Sequence, residues 1–497
     1  MTIKQLVSVL KDVEVFGDTD KEIEFIAHDS RRVRSNTLFV CISGTRVDGN
    51  KFIPQAVKAG ACAVMTEADV QAPEGVTVIK VKDIHKAMEL CVPYFYGYPG
   101  KKMRMIGVTG TNGKTSSTYM LRDILRRAGY KVGVIGTIKI MIEDEELPIH
   151  NTTPDVVDLQ ETLHNMYQKG MDYVVMEVSS HALDMNRVAG CEYDTAIFTN
   201  LTQDHLDYHK TMENYALAKA KLFEGLSAPD SVKTGKTAVI NIDDELGSKT
   251  MLEHTHCNLI TYGIKHKEAA LKAENVEIKA SGASFDVEYN NEAIHFDLKV
   301  TGLFNVYNIL GVIGAALAEH IAPAVIRETL ENFEAVAGRF ELVRQGQDFS
   351  VIVDYAHTPD GLENVLKTAR EIAKKRLIVV FGCGGDRDRT KRPIMGRIAA
   401  QLADVVIATS DNPRTEDPEF ILSQVEEGVL PALHGNFHEK ITDRRQAIFR
   451  AVELAQKDDI VLIAGKGHEN YQILKTGTIH FDDKEVAIEA IRRKLNG

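Results

Sequence analysis

At 497 residues the chain is too long for one hydrophobic core, and about two to four domains are expected. Hydrophobic residues make up 44% and charged residues 26%, an ordinary globular balance, while a net charge of −12 argues against a nucleic-acid partner and its basic face. Six cysteines without a Cys-x-x-Cys pair argue against a disulfide framework and a zinc site, and no apolar run reaches membrane-spanning length, so a cytoplasmic protein with no membrane partner is expected.

Residues 1–100 read as a small α/β unit. β-like runs at 37–42, 61–65 and 76–81 alternate with helical patterns at 53–59 and 84–91, and Tyr98-Pro99-Gly100 punctuates the end. Before the first of these runs, His28 to Val33 gathers a hydroxyl (Ser30) and two guanidiniums, which alone reads as a solvated turn. Residues 101–336 carry a longer alternation, with strands expected at 105–109, 132–136, 173–176, 195–198 and 238–240; a mostly parallel, doubly wound sheet follows. Polar–apolar alternation over 270–300, with turn signals at Ser281-Gly282 and Asn290-Asn291, predicts an antiparallel insertion. Residues 337–497 form a third, Rossmann-like α/β unit with strands expected at 350–354, 377–381, 405–408 and 460–463.

The segment Gly107 to Ser116 carries the strongest chemical signal. A strand, a turn with Gly110 and Gly113, and a helix starting near Lys114 aim backbone N–H groups and a helix N-terminus at one point, which suits phosphate. Lys114 supplies a cation for the outer phosphates and Thr115 a hydroxyl for Mg²⁺, although Val108 stands where a generic P-loop has its first glycine. Ligands in open α/β sheets sit at the carboxyl ends of strands, so Glu177 and the Asn200 to His209 run are the next candidates. Glu177 could share a metal ion with Thr115 and, read alone, could equally be a carboxylate at a helix start.

Thr109 to Thr115, Glu177 to His181, Asn200 to His205, Gly302 to Asn308, Gly338 to Phe340 and Asp354 to Pro359 resemble, in order, the motifs of the Mur ligases. The resemblance spans nearly the whole chain. It implies three domains: a UDP-binding unit (1–100), an ATP-binding unit (101–336) and an amino-acid-binding unit (337–497). It also implies an ATP- and Mg²⁺-dependent ligase that extends the peptidoglycan stem peptide through an acyl phosphate, working as a monomer on small molecules.

Residue by residue, the resemblance assigns ATP to Gly110, Thr111, Asn112, Gly113, Lys114, Thr115, Ser116, Asn305, Asn308, Arg339 and Asp354. Metal ligation falls to Thr115, Glu177, His205 and Lys219, the last as a carbamate; Lys114, Glu177, His205 and Lys219 form the catalytic set, and Lys221 is the competing lysine two residues on. The UDP-MurNAc-L-Ala-D-Glu substrate is implied to meet Ser30, Thr152, Thr153, Ser179 and Arg187; the family often has glutamine where this chain has Met185, which puts one substrate hydrogen bond in question. Arg387, Asp411, Asn412, Pro413, Arg414, Gly465 and Glu469 are implied for the amino acid. Within Asp411-Asn412-Pro413-Arg414, arginine can grip the distal carboxylate of meso-diaminopimelate, which L-lysine lacks. The rival readings are a lysine-adding version, a folylpolyglutamate synthase, which lacks the first domain, and a P-loop switch without ligase activity.

Overall fold

The computed structural model describes residues 1–496 except 44–47, 72, 150, 230, 280 and 290–291. Three main sheets follow one another along the chain: five strands, then eleven, then six. The first is parallel except for the edge strand Glu14–Phe16, and the third is parallel except for the edge strand Glu341–Leu342.

The central sheet holds six parallel strands in the spatial order Asn258–Gly263, Thr237–Asn241, Thr195–Phe198, Arg104–Thr109, Tyr173–Glu177 and Val132–Ile135. Both faces of the inner strands are covered, so Thr237–Asn241, Thr195–Phe198, Tyr173–Glu177 and Val132–Ile135 are buried throughout, whereas Asn258–Gly263 starts exposed. Ile106 and Val108 pack under the helices Lys114–Arg127 and Leu303–Ala318, while Met105 joins Val174, Met176 and Phe198 on the opposite face. Each fully buried Ile or Leu there stabilises the fold by about 1.5–3 kcal/mol. Gly107 is required by packing, since a Cβ would lie 2.9 Å from the Tyr193 ring.

The structure differs from the sequence reading at three places. The strand expected at 132–136 ends at Ile135, because Gly136 lies against Glu177, whose Oε1 would be 2.4 Å from a Cβ. A hairpin of Ile140–Ile142 and Glu145–Leu147, not foreseen, then caps that edge of the sheet. The 270–300 insertion is antiparallel within itself but continues the main sheet, through parallel pairing of Tyr262 with Leu271; its Asn290-Asn291 turn lies outside the described residues. Among the described residues no helix is long and apolar enough to cross a membrane.

Candidate active site

The phosphate loop leaves the middle of the central sheet, with the carboxyl ends of two neighbouring strands on either side. Gly113 caps the helix Lys114–Arg127 at φ +87°, a left-handed conformation, and a Cβ there would lie 2.1 Å from Asn308 Oδ1. Gly110 is as tightly placed, 1.9 Å from Thr199 Oγ1 by the same measure. The segment after Phe198 stitches the loop in place: Asn112 N–H donates to Asn200 Oδ1 (2.9 Å), and Thr199 Oγ1 donates to the Asn112 carbonyl (2.6 Å). Thr115 is buried and Ser116 half-buried at the start of the helix, where N–H groups lack intrahelical partners.

Two lysines converge on this loop. Lys114 Nζ donates to the carbonyls of Gly110 (2.9 Å) and Thr111 (2.8 Å), and Lys219 Nζ donates to the same Gly110 carbonyl at 2.9 Å. Among the described residues neither forms an ion pair. Burial lowers the pKa of both, and for Lys219 the charge of Lys114 lowers it further. Lys219 is 1% exposed and lies over the Tyr215 ring, whereas Lys221 faces outward and pairs with Asp184 at 2.7 Å. Lys219 is therefore the inward-facing lysine of the two.

His205, at φ +54°, sits beside this pair with its ring 4.7 Å from His181 and 6.1 Å from Tyr215. Burial lowers its pKa, and Lys114 and Lys219 act in the same direction. His181, His209 and Tyr215 extend the cluster, and His209 Nε2 lies 2.9 Å from Ser180 Oγ. His209 lies within the candidate run Asn200 to His209 and His181 closes the Glu177 to His181 motif, whereas Tyr215 carried no signal of its own in the sequence.

Glu177 lies on the other side of the loop strand, 1% exposed. It accepts from Thr137 N–H (2.8 Å) and Thr137 Oγ1 (2.9 Å), and Thr137 Oγ1 meets Thr152 Oγ1 at 3.1 Å. Thr153 Oγ1 donates to the Glu177 carbonyl (2.8 Å) and accepts from Ser179 N–H (3.0 Å). Glu177, Thr152, Thr153 and Ser179 are thus one connected network, with Thr137 as a member that the sequence did not reveal. Ser179 Oγ also caps the short helix that leads to Arg187, whose guanidinium rests on Met185 Sδ at 3.2 Å. Ser30 is not a solvated turn residue: it is 9% exposed, at the head of a turn capped by Asp29.

The third sheet brings its candidates together at its own carboxyl edge. Strands Ser350–Asp354 and Ile460–Ala464 pair in register, and Gly465 N–H donates to the Asp354 carbonyl at 3.0 Å. Asp354 accepts from the N–H groups of Phe340 (2.7 Å) and Ala356 (2.8 Å), while Arg339 lies over the Tyr355 ring at 5.0 Å with a buried, unpartnered Nε. Asn305 is anchored to the Thr301 carbonyl, and Asn308, one helical turn on, faces the phosphate loop.

In the Asp411 to Arg414 loop, Arg414 takes φ +53° and donates to the Gly385 carbonyl at 2.9 Å, joining it to the loop that carries Arg387. Arg387 is exposed and donates to the Asp386 carbonyl. Fully buried Arg392 clamps Glu416 between the two loops at 2.9 Å and holds its carboxyl down at about 2. Asn412 Nδ2 donates to Glu469 Oε2 at 2.9 Å, and Asp411 Oδ2 is buried without a partner.

Three family models match in succession: "Mur ligase family, catalytic domain" over residues 22–96, "Mur ligase middle domain" over 108–316, and "Mur ligase, glutamate ligase domain" over 338–467. The chain is 48% identical over 491 residues to the UDP-N-acetylmuramoyl-L-alanyl-D-glutamate--2,6-diaminopimelate ligase of Clostridium botulinum, covering 97% of this chain and 99% of that one. Its namesake from Bacillus licheniformis is 49% identical over 492 residues, covering 99% of both chains. A solved structure of an enzyme of the same name superposes over 100% of both chains with a TM-score of 0.70 and 32% identity. MurF from Acinetobacter baumannii shares the fold at 18% identity, with a TM-score of 0.66 over 99% of this chain and 98% of that one.

Proposed function

The chain belongs to the Mur ligase family, and we propose that it joins meso-diaminopimelate to UDP-MurNAc-L-Ala-D-Glu, using ATP. In the proposed division of labour, residues 1–100 hold the UDP end, 101–336 hold ATP and 337–497 hold the amino acid. A bare carboxylate resists amines, because its charge repels the nucleophile and oxide is a poor leaving group. Transfer of the terminal phosphoryl group of ATP to the D-glutamyl carboxylate gives an acyl phosphate. The amine of diaminopimelate adds to the acyl carbon, loses a proton, and phosphate leaves with the electrons of the C–O bond.

The protein's part is positioning and charge neutralisation. Among the described residues Lys114 reaches the Gly110 carbonyl without an ion pair, so an anion is its missing partner, and triphosphate supplies it. The donor set fits a hard divalent cation through the Thr115 hydroxyl and the Glu177 carboxylate, with His205 on the other side of the loop. Lys219 fits only as a carbamate, and its lowered pKa favours the neutral amine that CO₂ modifies. Mg²⁺, when bound, would neutralise charge on the phosphates. Thr152, Thr153 and Ser179, tied to Glu177, would orient the glutamyl carboxylate beside them. The six free cysteines support a reducing compartment, and we place the reaction in the cytoplasm, carried out by a monomer.

The observation that carries the choice of amino acid is the meeting of Arg414, unpartnered Asp411 Oδ2 and Glu469 beside Gly465 and Asp354. That cluster offers a guanidinium to a carboxylate and carboxylates to an ammonium, next to the nucleotide residues. The test is phosphate release from ATP with each substrate alone and in combination. Release only when the UDP-dipeptide and diaminopimelate are both present supports the ligase; release with ATP alone at the same rate contradicts it.

A further inference from the structure

Lys466, which follows Gly465, is fully buried. Its Nζ donates to Glu469 Oε2 at 3.0 Å and to Asn412 Oδ1 at 3.2 Å, and it lies 5.4 Å from the centre of the Tyr471 ring. Asn412 Nδ2 donates to the same Oε2 at 2.9 Å, so lysine and asparagine clamp one oxygen of the glutamate. The Asn412 amide is fixed in turn by Ile473 N–H, which donates to its Oδ1 at 2.9 Å.

Stability alone is a poor reason for this arrangement. Desolvating an ammonium is costly, and replacing a buried ion pair with apolar side chains is often neutral or stabilising. Charge balance gives a better one. Behind Gly465 lie three carboxylates, Asp411, Glu469 and Asp483, and two buried cations, Lys466 and Arg444. Arg444 is matched by Asp483 at 2.7 Å and Lys466 by Glu469, while Asp411 Oδ2 has no partner among the described residues. An ammonium of an amino acid can answer that free oxygen.

Resting on the amino-acid site assigned above, we propose that Lys466 is a positioning residue: it pins one oxygen of Glu469 and presents the other to the incoming amino acid. Without it, Glu469 would turn freely and its carboxylate would lose its buried cation.

The test measures KM for meso-diaminopimelate, ATP and the UDP-dipeptide in the full-length wild type, Lys466→Met, Glu469→Gln and the double variant. Methionine keeps the unbranched apolar stem and removes the charge together with its hydrogen-bond donors. The expected result is a rise in KM for diaminopimelate on the order of 10- to 100-fold, the range for a lost hydrogen bond to a charged group. KM for ATP and for the UDP-dipeptide should stay within about twofold, and the double variant should be no worse than the worse single one, because the two residues act as a pair. An unchanged KM for diaminopimelate, an equal loss for all three substrates, or strictly additive losses would each overturn the proposal. If Lys466→Met does not fold, Lys466→Gln, which keeps a donor but no charge, should show the same selective loss. A wild type that turns over ATP but makes no product with diaminopimelate would overturn the functional assignment itself, and this proposal with it.

Discussion

Burial of the Lys219 amine beside Lys114 makes it chemically unlike the exposed Lys221 on the same helix. CO₂ adds to a neutral amine, and both burial and the neighbouring cation favour that form. The sign is definite: with its pKa well below 10.5, the neutral fraction of Lys219 rises with pH and saturates earlier than that of an ordinary lysine. Activation by bicarbonate should therefore level off well below pH 10.5, and Lys219→Ala should lose on the order of 100-fold in turnover, as removal of a transition-state contact does. Lys221→Ala should retain activity, since its exposed pair with Asp184 is worth about 0–1 kcal/mol. Bicarbonate-dependent activity in Lys219→Ala would contradict the assignment. The sequence marked Lys219 only through family resemblance, because its burial depends on packing against the phosphate loop, which lies about a hundred positions earlier and leaves no local pattern. Ser30 and Thr137 were obscured in the same way. Lys114 and Arg414, set in motifs whose chemistry is local, were legible.

Among the elements, the phosphate loop and its helix are the most constrained. Gly113 combines a left-handed φ with contact on Asn308, so Gly113→Ala carries a conformational cost of about 1–2 kcal/mol and also pushes on the asparagine. The expected outcome is a folded protein with KM for ATP raised at least tenfold and KM for diaminopimelate little changed, read from steady-state kinetics. The two loops of the amino-acid site are held by Glu416 against Arg392. Because hydrogen bonding to Arg392 depresses the Glu416 pKa from 4.5 to about 2, the stability it contributes is complete above pH 4.5 and is lost as pH falls towards 2. Glu416→Gln should flatten that part of the acid-unfolding profile; a profile identical to the wild type would contradict the role given to the pair. The parallel strands were readable as continuous apolar runs. The Ile140–Leu147 edge hairpin was not, because its short strands alternate too briefly to show a period, and the early end of the 132–136 strand depends on Glu177, forty residues away.

Across the whole molecule, side-chain contacts join the His28 to Arg32 segment of the first unit to the helix Val156–Gln168 of the second: Arg32 pairs with Asp158 and Glu161, and His28 lies 3.3 Å from Asp155. Surface pairs of this kind are individually weak and screened by salt. Arg32→Ala, which removes both of its pairs, should raise KM for the UDP-dipeptide by about two- to fivefold without changing KM for ATP. In the proposed chemistry, which draws on the second and third sheets, Lys114 meets phosphate and Arg414 meets the amino acid. The central claim is that Arg414 selects the distal carboxylate of diaminopimelate. Its most direct test is the steady-state rate of amide formation with meso-diaminopimelate and with L-lysine, in the wild type and in Arg414→Ala. Strong preference for diaminopimelate is expected in the wild type, and loss of that preference in the variant with ATP binding intact. Equal use of L-lysine by the wild type, or an unchanged KM for diaminopimelate in Arg414→Ala, would contradict it.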